Sequence, residues 1–199
     1  MFHAGVTTID QAIGSIWGVW FISWIIASGW SARTAKTTRP GERALELLLT
    51  VAGVAMLMSG HTSANVFALQ MPVYSLHPVL AWLMVVLVAG GFAFSWWARV
   101  HLGTMWSANI TLKEGHRIID TGPYALVRHP IYTGILFSAW ATAVAHGNEH
   151  SFLGAALMTL GFYLKSRREE QLLIVELGAP YEAYRRRVPM LVPHISAGS

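Results

Sequence analysis

The 199-residue chain has no cysteine, only 12% charged residues, and no internal repeat or low-complexity tract. Without cysteine it can form no disulfide, iron–sulfur cluster, thiolate-zinc site or cysteine nucleophile, and its redox compartment is left open. Without repeats or a long polar linker it has nowhere to divide, so residues 1–199 read as one domain. The opening MFHAGVTTIDQAIG has no basic stretch and no small-residue cleavage site ahead of a soluble region, so the first apolar run is expected to be retained as a span and not removed as a signal peptide.

What is present is apolar. Hydrophobic residues make up 54% of the chain, with 9 tryptophans, well beyond an ordinary soluble domain. Three runs, at about 12–30, 44–60 and 78–98, approach the roughly 20 residues needed to cross a hydrocarbon core. Two shorter runs, at about 131–145 and 151–164, flank the polar His146-Gly147-Asn148-Glu149-His150. At about 1.5 Å per residue they are short for a bilayer, and they read as a spanning hairpin whose second helix continues past Leu164 as a polar helix. The resulting expectation is an all-α integral membrane protein with five transmembrane helices. Its tryptophans are expected at interfaces or facing lipid, and small residues such as Gly53 and Gly90-Gly91 at helix–helix contacts.

Basic residues orient this arrangement. Arg33, Lys36, Arg39 and Arg43 fall between spans one and two; Arg99, Lys113, Arg117 and Arg128 fall between three and four; the other six follow span five. All 14 therefore lie on one side, which the positive-inside rule makes cytoplasmic, with the N-terminus outside and the C-terminus inside. The net charge of +4 then follows from topology and membrane lipids, and no nucleic-acid partner is expected.

The second half of the chain carries the polar chemistry. The stretch 99–130 is too long for a simple connector, and its Ile and Leu residues argue for a folded cytoplasmic cap, completed by the C-terminal helices. Gly122-Pro123 signals a turn, and Pro130 keeps His129 out of the helical region, delivering a compact loop to the start of an apolar helix. A further helix is expected to run to Glu176 or Leu177 and stop at Gly178, followed by a short one over 180–187 that ends before Pro189. Lys165 and Glu169 share a helix face. His146 and His150 have the spacing of a helical metal clip, but they sit on the opposite side of the membrane from the polar loop, and no metal is expected.

The run His116-Arg-Ile-Ile-Asp-Thr-Gly122-Pro-Tyr124, then Arg128-His129-Pro130-Ile-Tyr132-Thr-Gly134, Glu169-Glu170, and Gly178…Tyr181…Tyr184…Arg187-Val188-Pro189 resembles the isoprenylcysteine carboxyl methyltransferase family and its prokaryotic relatives over about 99–195. The resemblance implies an integral membrane enzyme that takes a methyl group from S-adenosylmethionine without a metal, at the cytoplasmic face. It implies a cofactor pocket lined by Asn109, His116, Arg117, Ile118, Ile119, Tyr124, His129, Pro130, Ile131, Tyr132 and Glu169. Lys165 stands where the family commonly has arginine near the substrate, and Arg167 could supply the missing fork. The shorter acidic run and the smaller number of spans point to a prokaryotic inner or plasma membrane protein.

The chemistry of the cofactor agrees with that residue set. A sulfonium, an amino-acid head and an adenine plane call for a carboxylate, from Glu169 or Glu170. They also call for donors to the ligand carboxylate, from His129 with Arg128, and for aromatic or apolar walls. Lys165, Arg167, Glu169 and Glu170 are the candidate catalytic residues. The expected acceptor is a lipophilic or small amphipathic carboxylate, thiol or amine. The alternatives are a phospholipid N-methyltransferase-like enzyme and a non-catalytic membrane transporter or assembly protein. The last would be expected to carry ionisable residues or broken helices at mid-membrane, whereas here Glu46, near one span end, is essentially the only charge in a span.

Overall fold

A computed structural model describes residues 2–29, 34–37, 44–59, 73–103, 111–113 and 118–193. Seven helices account for most of them: α1 (Phe2–Ala27), α2 (Ala44–Ser59), α3 (Pro78–Leu102), α4 (Pro123–Leu126), α5 (Pro130–His146), α6 (Glu149–Leu177) and α7 (Ala179–Arg187). The expected five apolar runs all become helices. Among the described residues the fold departs from purely α in one place, where β1 (Thr34–Thr37) pairs antiparallel with β2 (Thr111–Lys113). Those strands belong to the two basic loops, so their pairing brings the α1–α2 and α3–α4 connections to the same end of the bundle. The opposite end is tied by Val73 N donating to Gly147 O at 2.8 Å and by the Tyr74 hydroxyl donating to Val144 O at 3.0 Å.

Two helices, Thr8–Ala27 within α1 and Pro78–Leu102, are long and apolar enough to cross a membrane; α2 is apolar but shorter. This corrects the expectation that five helices would meet that standard. α5 has only 17 residues, several of them Ser, Thr or Tyr, and the second half of the 29-residue α6 is charged.

Helix pairing follows the small residues. α2 packs on α6, α3 packs on α5, the α5–α6 hairpin joins the two pairs, and α1 lies against α3. A Cβ at Gly53 would stand 2.7 Å from the carbonyl oxygen of Gly154, and one at Gly91 would stand 2.7 Å from that of Gly134. The backbones therefore touch at both seams, an approach that only glycine permits. Gly90 meets nothing within 4 Å, so only one member of its pair is a packing residue.

The tryptophans correct a second expectation. Trp17, Trp20 and Trp24 form a ladder with Phe92 and Trp96 between α1 and α3, with neighbouring ring centroids 4.7 to 6.3 Å apart. Trp17 Nε1 donates to Thr142 Oγ1 and Trp96 Nε1 to Ser23 Oγ. The polar handles of Trp17 and Trp96 are thus satisfied inside the protein, while Trp82 and Trp97 are exposed. Large apolar side chains are exposed on α1, α2, α3, α5 and α6 alike, among them Ile22, Leu48, Val86, Phe137 and Leu160.

α6 ends at Leu177, capped by Gly178 at φ +60°, which also opens α7. At the other end of α6, Asn148 caps by accepting from Ser151 N at 2.9 Å. His146 Nδ1 lies 2.9 Å from Ser151 Oγ, so the histidine of the presumed clip serves the turn.

Candidate active site

The site is built where α5 begins and the apolar part of α6 gives way to charge. His129 caps α5 with φ −122° and ψ 61°, outside the helical region, as the residue before Pro130 must be. Its buried ring reaches α6 on both sides: Nδ1 lies 3.3 Å from Glu169 Oε2, and Nε2 lies 3.2 Å from Glu170 Oε1. Glu169 and Glu170 are consecutive, so both can meet one imidazole only if that ring inserts between their side chains. Tyr132, one turn into α5, donates its hydroxyl to Glu169 Oε1 at 2.6 Å and lies parallel to the His129 ring, with centroids 5.6 Å apart. Phe162 backs the Tyr132 ring at 4.9 Å, and Lys165 Nζ stands 5.2 Å from its centroid, within cation–π range.

Electrostatics follows from this enclosure. Burial pulls the His129 pKa down, but hydrogen bonds to Glu169 and Glu170, with their charges, outweigh it and the net shift is upward. Burial pushes the Glu169 carboxyl up, and His129, Lys165 and the Tyr132 hydroxyl bring it below its ordinary value. Glu170 is lowered likewise, against burial, by His129 and Arg128. The cluster holds two anions around a histidine that tends to carry a proton.

Arg128 is engaged within the protein. Its Nε meets Glu170 Oε1 at 2.7 Å, and its Nη1 donates to the carbonyls of Arg185 and Val188. Arg128 N and His129 N donate to the carbonyls of Pro189 and Met190 at 2.8 and 3.1 Å, and Thr133 Oγ1 donates to Leu191 O at 2.7 Å. Residues 188–191 thus form a strap along the loop that carries His129. Sequence reasoning missed this strap, whose only signal was the Val188-Pro189 that stops α7.

The other candidates divide. Tyr124 is buried in α4, stacked on His101, and its carbonyl accepts from the Tyr184 hydroxyl at 2.7 Å. Gly122 at φ +57° makes that turn possible, since a Cβ there would stand 2.8 Å from the His101 ring. Ile118 packs with Tyr181, Tyr184 and Val188, while Ile119 and Ile131 join the main core. Pro130 is fully buried behind His129. Arg167 is exposed, and among the described residues no contact joins it to the cluster; the arginine that turns inward is Arg168, 2.9 Å from Glu46. Asn109, His116 and Arg117 lie outside the described residues.

Comparison with known proteins falls on this same part of the chain. Residues 82–175 match the model of the isoprenylcysteine carboxyl methyltransferase (ICMT) family. Methanethiol S-methyltransferase 2 of Bradyrhizobium diazoefficiens is 44% identical over 75 residues, covering 37% of this chain and 28% of that protein. Protein-S-isoprenylcysteine O-methyltransferase of Schizosaccharomyces pombe is 35% identical over 101 residues, 49% of this chain and 43% of its own. Protein-S-isoprenylcysteine O-methyltransferase B of Arabidopsis thaliana is 32% identical over 88 residues, 44% of this chain and 45% of its own. The matches join apolar membrane-type helices to proteins named as methyltransferases. Over residues 82–175 the chain is similar to the isoprenylcysteine carboxyl methyltransferase family. It spans less than half the length of each of these three relatives.

Proposed function

We propose that the chain is an integral membrane S-adenosylmethionine-dependent methyltransferase. The observation that carries this reading is the His129 ring held between Glu169 and Glu170 beside Tyr132, inside the segment that matches the family. The residues present suit the cofactor: Glu169 offers a carboxylate to its cationic groups, and Tyr132 and Phe162 offer ring faces. Ile118, Ile119 and Tyr124 are assigned to the wall on the α4 side, with Asn109, His116 and Arg117 proposed from the resemblance alone. When bound, S-adenosylmethionine supplies a methyl group on a sulfonium for in-line displacement by a nucleophile.

The protein's own part is placement and exclusion of water. Tyr132 and His129 hold both Glu169 oxygens, so the carboxylate is aimed before any ligand arrives. Arg128, already engaged with Glu170 and two carbonyls, is assigned to holding the loop. Lys165, at the edge of the cluster, carries a positive charge that favours an anionic acceptor, a carboxylate or thiolate, over an amine. A carboxylate needs no general base, whereas a thiol must first lose its proton. The acceptor is proposed to be lipophilic or small and amphipathic, because apolar side chains on all five long helices face outward.

Calorimetry on the purified protein in nanodiscs tests the reading. One-to-one binding of S-adenosylmethionine that is indifferent to chelator is expected, and a folded, monodisperse sample that binds none would overturn it. The spanning arrangement, in a prokaryotic inner membrane with the basic loops inside, is tested by reporters after Ser199 and between His146 and His150. They should report opposite sides, and a shared side would overturn that arrangement.

A further inference from the structure

Glu46 is a carboxylate buried in the first turn of α2, outside the segment that matches the family, and nothing in the proposed chemistry uses it. Its partner is Arg168 of α6 at 2.9 Å, with side-chain exposures of 7% and 30% respectively. The pair ends a regular seam. On α6, Gly154, Gly161 and Arg168 recur every seven residues and so keep to one face, drifting only about 20° per heptad. On α2, Leu57, Gly53, Thr50 and Glu46 form the facing stripe: Gly154 meets Gly53 and Leu57, Gly161 meets Thr50 and the Glu46 carbonyl, and Arg168 meets the Glu46 carboxylate.

Glycine contacts bring the helices close, but a bare backbone has no side chain to resist rolling about the helix axis. The ion pair is the rung that can resist it. It stands immediately before Glu169 and Glu170, which leave the helix about 100° and 200° further round. A small roll of α6 would move one of them off His129 as it moved the other closer.

We propose that Glu46 and Arg168 are a positioning pair for the site, fixing the rotation of α6 so that Glu169 and Glu170 reach the two nitrogens of His129 at once. The proposal rests on the reading of that cluster as the ligand site. Removing the Arg168 charge leaves Glu46 buried and uncompensated, and removing the Glu46 charge leaves a half-buried guanidinium without its carboxylate; α6 turns to bring the remaining charge toward water.

The test uses the full chain in nanodiscs with Glu46→Gln, Arg168→Glu and Arg168→Lys. Three quantities are read: thermal midpoint, S-adenosylmethionine affinity, and the titration of the His129 ring by NMR with labelled histidine, its signal identified by loss in His129→Asn. Glu46→Gln and Arg168→Glu should shift the His129 titration and weaken ligand binding about tenfold, while Arg168→Lys, which keeps the charge, should stay within about threefold of wild type. Should Glu46→Gln not fold, Glu46→Asp, which shortens the reach but keeps the charge, is expected to show the same shifts in smaller degree. Variants that lose thermal stability but keep the His129 titration and ligand affinity of wild type would overturn the proposal, leaving the pair a simple helix clamp. If wild type binds no S-adenosylmethionine, the methyltransferase reading falls, and the His129 titration alone still decides whether the pair positions the cluster.

Discussion

Tyr132 and Glu169 face each other across the α5–α6 hairpin, the phenol donating to the carboxylate at 2.6 Å. A hydrogen bond to a charged group is worth about 1.5–3 kcal/mol, so Tyr132→Phe should cost roughly tenfold or more in S-adenosylmethionine affinity or in turnover without unfolding the protein. Calorimetry and a methyl-transfer assay on the same preparation read the two effects. Full retention of both would show that the phenol only packs.

Lys165 and Glu169 lie one turn apart on α6 yet are assigned to different partners. Glu169→Gln removes charge with little change of shape and should weaken cofactor binding or abolish turnover. Lys165→Ala should leave cofactor affinity nearly intact and lower kcat/KM for the acceptor about tenfold or more, the mark of an interaction with the acceptor at the transition state. If Lys165→Ala weakens cofactor binding as much as Glu169→Gln does, the lysine belongs to the cofactor side.

The titration directions set a pH window for stability. His129 is raised above 6.5, so its contribution is full below that value and is lost as pH rises through the folded-state pKa. Glu169 and Glu170 are lowered from 4.5, so theirs is full above 4.5 and is lost as pH falls through their folded-state values. The cluster should therefore stabilise the fold most between about pH 4.5 and 6.5. Thermal midpoints measured against pH should show His129→Asn flattening the decline on the alkaline side. A decline identical to wild type would place its origin elsewhere.

The glycine seams make a contrast within one dipeptide. Gly91→Ala forces a Cβ into Ser138 and the Gly134 carbonyl and should cost about 1–3 kcal/mol as overpacking, whereas Gly90→Ala faces open space and should be near neutral. Thermal unfolding in detergent reads both, and equal effects would mean that α3 and α5 do not meet there.

Much of this architecture was legible as pattern. The long apolar runs became helices, Gly178 stopped α6, and His129, Tyr132, Glu169 and Glu170, all quoted in the motif, lie together. The rest depended on contacts between distant residues that no local pattern encodes. Pairing of β1 with β2 joins segments more than seventy residues apart. The outward Arg167 and inward Arg168 were separable only once the roll of α6 was known. The Trp17–Trp20–Trp24 ladder faces α3 because Phe92 and Trp96 are there to receive it, a partner invisible from α1 alone. Arg128 was expected beside His129 as a donor, and only the strap at 188–191 shows where its guanidinium goes.

The strap also has a consequence for biogenesis. The carbonyls that hold Arg128, His129 and Thr133 belong to Arg185, Val188, Pro189, Met190 and Leu191, which leave the ribosome after every long helix has been made. Formation of the long helices and completion of the cluster are therefore separate events in time. A nascent chain can hold all its long helices while its His129 loop is still unsecured, and chains arrested before residue 188 should contain those helices yet lack the contacts that hold Arg128, His129 and Thr133.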